Sequence, residues 1–120
     1  VEYLGYVPDE ALPSLYADAR AFIFPSFYEG FGLPPLEAMN CGCPVICSPN
    51  TSLKEIGGDA AKYVDPNNPS SICEAMIDIE SSHETWATMR ENGLKHAGTF
   101  SWERTAAETL EFYQKVLAEA

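Results

Sequence analysis

Apolar positions along the chain fall in short blocks that switch between strand-like and helix-like spacing. Val1 to Val7 opens in a strand-like run, Val1-Glu2-Tyr3-Leu4-Gly5, and predicts a first strand. Pro8-Asp9 then starts a helix with Leu12, Leu15, Tyr16 and Ala19 on one face. Ala21-Phe22-Ile23-Phe24 is apolar throughout and is closed by Pro25-Ser26, the pattern of a strand covered on both faces. A loop rich in aromatics and glycine runs from Ser26 to Gly32. A helix follows from about Leu33 to Asn40 and stops at Gly42. Pro44-Val45-Ile46-Cys47 reads as another buried strand, Ser52 to Ile56 as a short helix ended by Gly57-Gly58, and Ala61 to Val64 as a last strand. The remainder is helical. Ile72, Met76 and Ile79 form one stripe between Ser70 and Ile79, and His83 to Ala97 carries Trp86 and Met89. Ser101 is placed to cap a helix reaching Leu117, with Trp102, Ala106, Leu110, Tyr113 and Leu117 on one face.

Alternation of apolar strands with helices predicts an α/β fold: an open parallel sheet of about four strands with flanking helices, a partial Rossmann-like domain. Such sheets bind ligands beyond the carboxyl ends of their strands, which directs attention to Pro25 to Gly32 and Ser48 to Ser52. The whole of residues 1–120 reads as one domain. It begins inside a strand-like run without a methionine, the expectation for an excised piece of a longer protein.

Composition changes this picture mainly by exclusion. The net charge of −11, from 18 acidic and 7 basic residues, removes nucleic acid as a partner, because phosphate backbones are held by clustered Lys and Arg. At 46% hydrophobic and 21% charged the chain is ordinary globular material. Cys41, Cys43 and Cys47 form a C-x-C-x3-C cluster, but no histidine is near it and the spacing is not that of a zinc site. These three and Cys73 are expected to be unpaired thiols, free of metal, in a reducing cytoplasm.

The chemistry concentrates in Pro25-Ser26-Phe27-Tyr28-Glu29-Gly30-Phe31-Gly32-Leu33-Pro34-Pro35-Leu36-Glu37-Ala38-Met39. Gly30 and Gly32 permit backbone conformations closed to other residues and a close ligand approach. Pro34 and Pro35 suit the first turn of a helix, and that helix start turns N–H groups and a positive dipole end toward an anion. Glu29 and Glu37 frame the loop. Carboxylates repel phosphate but accept hydrogen bonds from sugar hydroxyls. The set therefore fits a ligand with a diphosphate in the middle and a polyol at each end, which is the shape of a nucleotide sugar. Two carboxylates are also the apparatus of glycoside hydrolases, but a phosphate-binding loop between them has no purpose there. A non-catalytic binding module or a phosphoacceptor receiver is the third class, and Asp18 and Asp65 do not form the aspartate cluster that a receiver needs.

The segment Glu29-Gly30-Phe31-Gly32-Leu33-Pro34-Pro35-Leu36-Glu37-Ala38-Met39 resembles the E-x7-E signature of the large group 1 family of retaining glycosyltransferases with the GT-B fold. Cys41-Gly42-Cys43-Pro44-Val45-Ile46, Glu55, Gly58-Asp59-Ala60-Ala61, Asp65-Pro66 and Ser101-Trp102 continue the likeness over nearly the whole chain. The resemblance implies the C-terminal half of a nucleotide-sugar-binding domain. It implies Glu29 on the transferred hexose as the catalytic residue and Glu37 on the ribose hydroxyls. The backbone of Gly30, Phe31, Gly32 and Leu33 would meet the sugar and diphosphate of a UDP- or GDP-hexose. It implies no cofactor and no metal, in keeping with the lack of a D-x-D pair. The acceptor would sit on an N-terminal domain. The intact protein would be cytoplasmic, with peripheral attachment to the inner membrane face compatible with the family. One departure stands out. The family supplies an arginine and a lysine upstream for the leaving diphosphate, and no Lys or Arg lies between Ala21 and Leu53. Weak donor binding and no turnover are expected of these residues alone. By the same resemblance the strands at Ala21, Pro44 and Ala61 are the fourth, fifth and sixth of a doubly wound sheet. The edge at Ala21 to Phe24 would then be open to self-association.

Overall fold

The computed structural model describes residues 1–119. Its elements run α1 (Leu12–Asp18), β1 (Phe22–Phe24), α2 (Leu33–Asn40), β2 (Val45–Cys47), α3 (Leu53–Gly57), β3 (Lys62–Tyr63), α4 (Pro69–Ser81), α5 (His83–Ala97) and α6 (Trp102–Glu119). The three strands form a parallel sheet in the order β1-β2-β3, with Phe22 opposite Val45 and Ile46 opposite Lys62. This is the simple sequential order expected of the last three strands of a doubly wound sheet.

Strand β2 shows why its sequence is apolar without alternation. Val45 and Cys47 face a core built from α2 and α3, with Leu36, Ala38, Met39, Leu53 and Ile56. Ile46 faces the opposite core, with Val64, Ala75 and Ile79, against which Ile23 and Trp86 also pack. Both sides of the central strand are thus removed from water. Strand β1 follows the same division, Phe22 and Phe24 on one side and Ile23 on the other, but its outer edge has no partner among the described residues.

Helix α2 ends where the sequence indicates. Cys43 N–H donates to Ala38 O and Gly42 N–H to Met39 O, both at 2.9 Å, a Schellman closure with Gly42 at φ 73°. Helices α4, α5 and α6 start at side-chain caps from Asn68, Ser82 and Ser101, each of which accepts backbone N–H bonds.

One expectation is corrected. Val1 to Val7 is not a strand, and Val1, Tyr3, Leu4 and Tyr6 are exposed. A strand exists only through a neighbour's ladder, and this segment joins none, although the outer edge of β1 is open among the described residues. The sheet therefore has three strands rather than about four. The apolar stripe of α6 is present but uncovered: Trp102, Leu110, Tyr113 and Leu117 are exposed and no residue of the helix is buried. Within the stripe read for α4, Ile79 is buried whereas Met76 is exposed, and Ala75 takes the inward position. No helix is long and apolar enough to cross a membrane, among the described residues. All four cysteines are free thiols. Burial pushes Cys43 and Cys47 up to about 11, which makes them poor nucleophiles near neutral pH.

Candidate functional site

The carboxyl ends of β1 and β2 open into two loops, residues 25–32 and 48–52, and hydrogen bonds tie them together. The Ser48 hydroxyl, fully buried, donates to Ser26 O, and Asn50 Nδ2 donates to Phe27 O at 3.4 Å. Glu29 stands at the centre of this seam. Its N–H donates to Thr51 Oγ1 at 3.2 Å, and its carbonyl accepts from Thr51 Oγ1 at 3.0 Å and Ser52 Oγ at 3.1 Å. Its carboxylate accepts from Ser26 Oγ at 2.8 Å. Phe27 and Tyr28, just before it, are exposed, whereas Glu29 is half-buried.

Gly32 is the hinge between loop and helix. It sits at φ 107°, caps α2, and is itself buried. A Cβ there would lie 2.9 Å from Leu53 Cδ2, so α3 is seated directly against the glycine. Gly30 differs from expectation: its φ is not in the left-handed region and a Cβ would meet nothing within 4 Å. Its missing side chain leaves space in front of the loop instead of permitting a special turn. The prolines also narrow the anion reading. Pro34 and Pro35 carry no N–H, so in the first turn of α2 only Leu33 keeps a free donor, and Leu36 N–H already reaches Gly32 O at 3.4 Å. Any further donors must come from the loop residues.

Glu37 projects from the second turn of α2 and is exposed. It lines a cavity of about 260 Å³ together with Phe31, Leu33, Asn40, Phe100 and Trp102. On its other flank is Tyr16 of α1, whose ring meets Phe22 edge-on at 5.2 Å. Burial first, and then the nearby charge of Glu37, raise the Tyr16 phenol. Phe31, Leu33 and Glu37 therefore share one cavity, whereas Glu29 is fixed on the β2 side of the loop, outside it. Tyr16, Thr51, Ser52 and Ser26 escaped the sequence reading as site residues. Tyr16 was visible only as an apolar position on α1, whereas Ser52 and Thr51 lie in a loop already singled out.

A larger polar cavity of about 520 Å³, lined by residues such as Asp59, Lys95 and His96, lies where the chain enters β3. That is the amino end of the sheet, opposite the end at which open α/β sheets hold ligands.

The family model described as glycosyl transferases group 1 matches residues 1–96. The chain is 53% identical over 117 residues to the O-antigen chain mannosyltransferase B of Escherichia coli, covering 95% of this chain and 30% of that protein. It is 36% identical to the D-inositol 3-phosphate glycosyltransferase of Paenarthrobacter aurescens, over 89% of this chain and 27% of that one. Among solved structures, the sucrose-phosphate synthase of Thermosynechococcus elongatus superposes with a TM-score of 0.88 at 30% identity, over 100% of this chain and 31% of its own. The chain thus spans about a third or less of the length of these relatives.

Proposed function

Because the chain belongs to the group 1 glycosyl transferases, on part of a GT-B scaffold, we propose that it is the donor-binding part of a retaining, metal-independent hexosyltransferase. The observation that carries this reading is the pair of carboxylates, in different surroundings, on either side of the loop that enters α2. Glu29 is pinned by Ser26, and Glu37 is flanked by Tyr16. In this reading the diphosphate lies at the N-terminus of α2, met by the N–H groups of Gly30, Phe31, Gly32 and Leu33 and by a dipole end of roughly +0.5 charge. Glu37 accepts the ribose hydroxyls. Glu29 accepts from the hexose and faces the positive charge that develops on the sugar ring as the bond to the diphosphate breaks. The cations that balance the leaving diphosphate come from a segment outside residues 21–53, where neither Lys nor Arg occurs. The acceptor lies on a further domain of a longer protein. Mannose is the hexose we favour, on the printed activity of the 53% identical relative, with GDP- or UDP-linked donor. The free thiols suit a reducing compartment such as the cytoplasm.

The test is product analysis by proton NMR with the full-length protein, an α-linked nucleotide hexose and a panel of short mannosides. Nucleoside diphosphate should appear in step with an α-glycoside. A β-linked product contradicts retention. Cleavage of a glycoside without any requirement for the nucleotide donor points instead to a hydrolase.

A further inference from the structure

Among the described residues Thr51 is the one non-glycine position at positive φ, 49°. A β-branched side chain is poorly suited to that region, and glycine or asparagine would hold the turn with less strain. The residue is exposed, so core packing does not explain it. What its conformation does achieve is a two-way clamp. One hydroxyl accepts the Glu29 N–H and donates to the Glu29 carbonyl, across 22 residues of chain. Ser52 fills the second lone pair of the same carbonyl. The Glu29 backbone is thereby fixed from the β2 loop, while Ser26 fixes the carboxylate from within its own loop.

We infer that Thr51 is a positioning residue for Glu29: its strained turn holds the Glu29 main chain in the register at which the carboxylate meets the reacting sugar. This rests on the reading of Glu29 given above. Loops are mobile by default, and a displacement on the order of 1 Å at a reacting group can cost on the order of a hundredfold in rate. A hydroxyl bonded to both backbone groups of one residue is a direct means of preventing that. The clamp leaves the Glu37 contact on α2 untouched and reaches the diphosphate only through the Gly30 N–H of the clamped peptide, so its loss should act more on turnover than on donor binding.

The experiment is steady-state kinetics on the full-length protein, well below its melting midpoint, with folded content checked by circular dichroism. Thr51→Val keeps shape and strain and removes the hydroxyl; it should lower kcat by about tenfold to a hundredfold and change donor KM by a clearly smaller factor. Thr51→Ser keeps the hydroxyl and should restore most of kcat. In a Glu29→Ala background Thr51→Val should cost nothing further, the non-additivity of two residues that act as a unit. Wild-type kcat for Thr51→Val beside an impaired Glu29→Ala overturns the role of Thr51 alone. Wild-type kcat for Glu29→Ala overturns the reading of Glu29 and the inference with it. A fall in kcat for Thr51→Val that persists undiminished in the Glu29→Ala background makes Thr51 merely structural.

Discussion

Replacing Glu37 with alanine in the full-length protein should weaken nucleotide-sugar binding, and replacing Glu29 with alanine should lower turnover. In the roles proposed above, each change removes hydrogen bonds between a carboxylate and sugar hydroxyls. Bonds to charged groups contribute about 1.5–3 kcal/mol, so each loss is worth roughly tenfold to a hundredfold. The two effects should separate because the proposal gives the carboxylates different work. Glu37 is exposed and lines the cavity beside the start of α2, so its contact is made alike in ground and transition states. Its loss then falls on donor affinity, read as KM and as the Kd of the nucleoside diphosphate alone. Glu29 is held rigidly on both its backbone and its carboxylate, as suits a group whose interaction grows while the sugar becomes positive. Its loss should lower kcat with KM little changed. Wild-type values for both variants would refute both assignments.

The largest effect on stability is expected at Gly32. Gly32→Ala places a Cβ 2.9 Å from Leu53 Cδ2 and forces an L side chain to φ 107°. Leu53 is fully buried within the core cluster that also holds Ile56 and Met39, so it cannot yield without disturbing them. Strain and overpacking together should cost about 2–4 kcal/mol, a fall of roughly 10 °C in melting midpoint for a domain of this size. Gly30→Ala is the matched control. Its Cβ meets nothing and its φ is ordinary, so it should stay within about 1 kcal/mol of wild type. Equal midpoints for the two variants in thermal or urea unfolding would show that the seat of α3 against Gly32 is not tight.

The contrast between these glycines marks what was legible in the sequence. Helix α2 could be bounded to the residue because its signals are local: prolines at the start, Gly42 in a left-handed cap at the end. Strand β2 was legible from Val45-Ile46-Cys47 alone, since a central parallel strand is apolar on both faces. Glu29 and Glu37 were singled out by their places around the glycine loop, and they stand in a loop and a helix as expected. What failed depends on a partner elsewhere in space. Val1 to Val7 has strand-like residues but no neighbouring ladder, and the α6 stripe has the right period with nothing described to cover it. The clamp of Thr51 on Glu29 and the contact of Tyr16 with Glu37 join positions about twenty residues apart, and side-chain periodicity carries no information about such pairs. Two glycines that look alike in sequence proved different for the same reason. Backbone conformation and the packing of α3 together distinguish Gly32 from Gly30.

Where a nucleotide sugar meets this chain is read directly by a heteronuclear NMR titration of the 120-residue protein. Weak binding is no obstacle to it, and affinity on the order of millimolar, about −4 kcal/mol, is sufficient. With GDP- and UDP-hexoses the account predicts shifts at the amides of Glu29, Gly30, Phe31, Gly32 and Leu33 and at Glu37, reduced in Glu37→Ala. Shifts confined to the opposite end of the sheet, at Gly58, Asp59, Lys95 and His96, or no shifts with either donor at such concentrations, would contradict it.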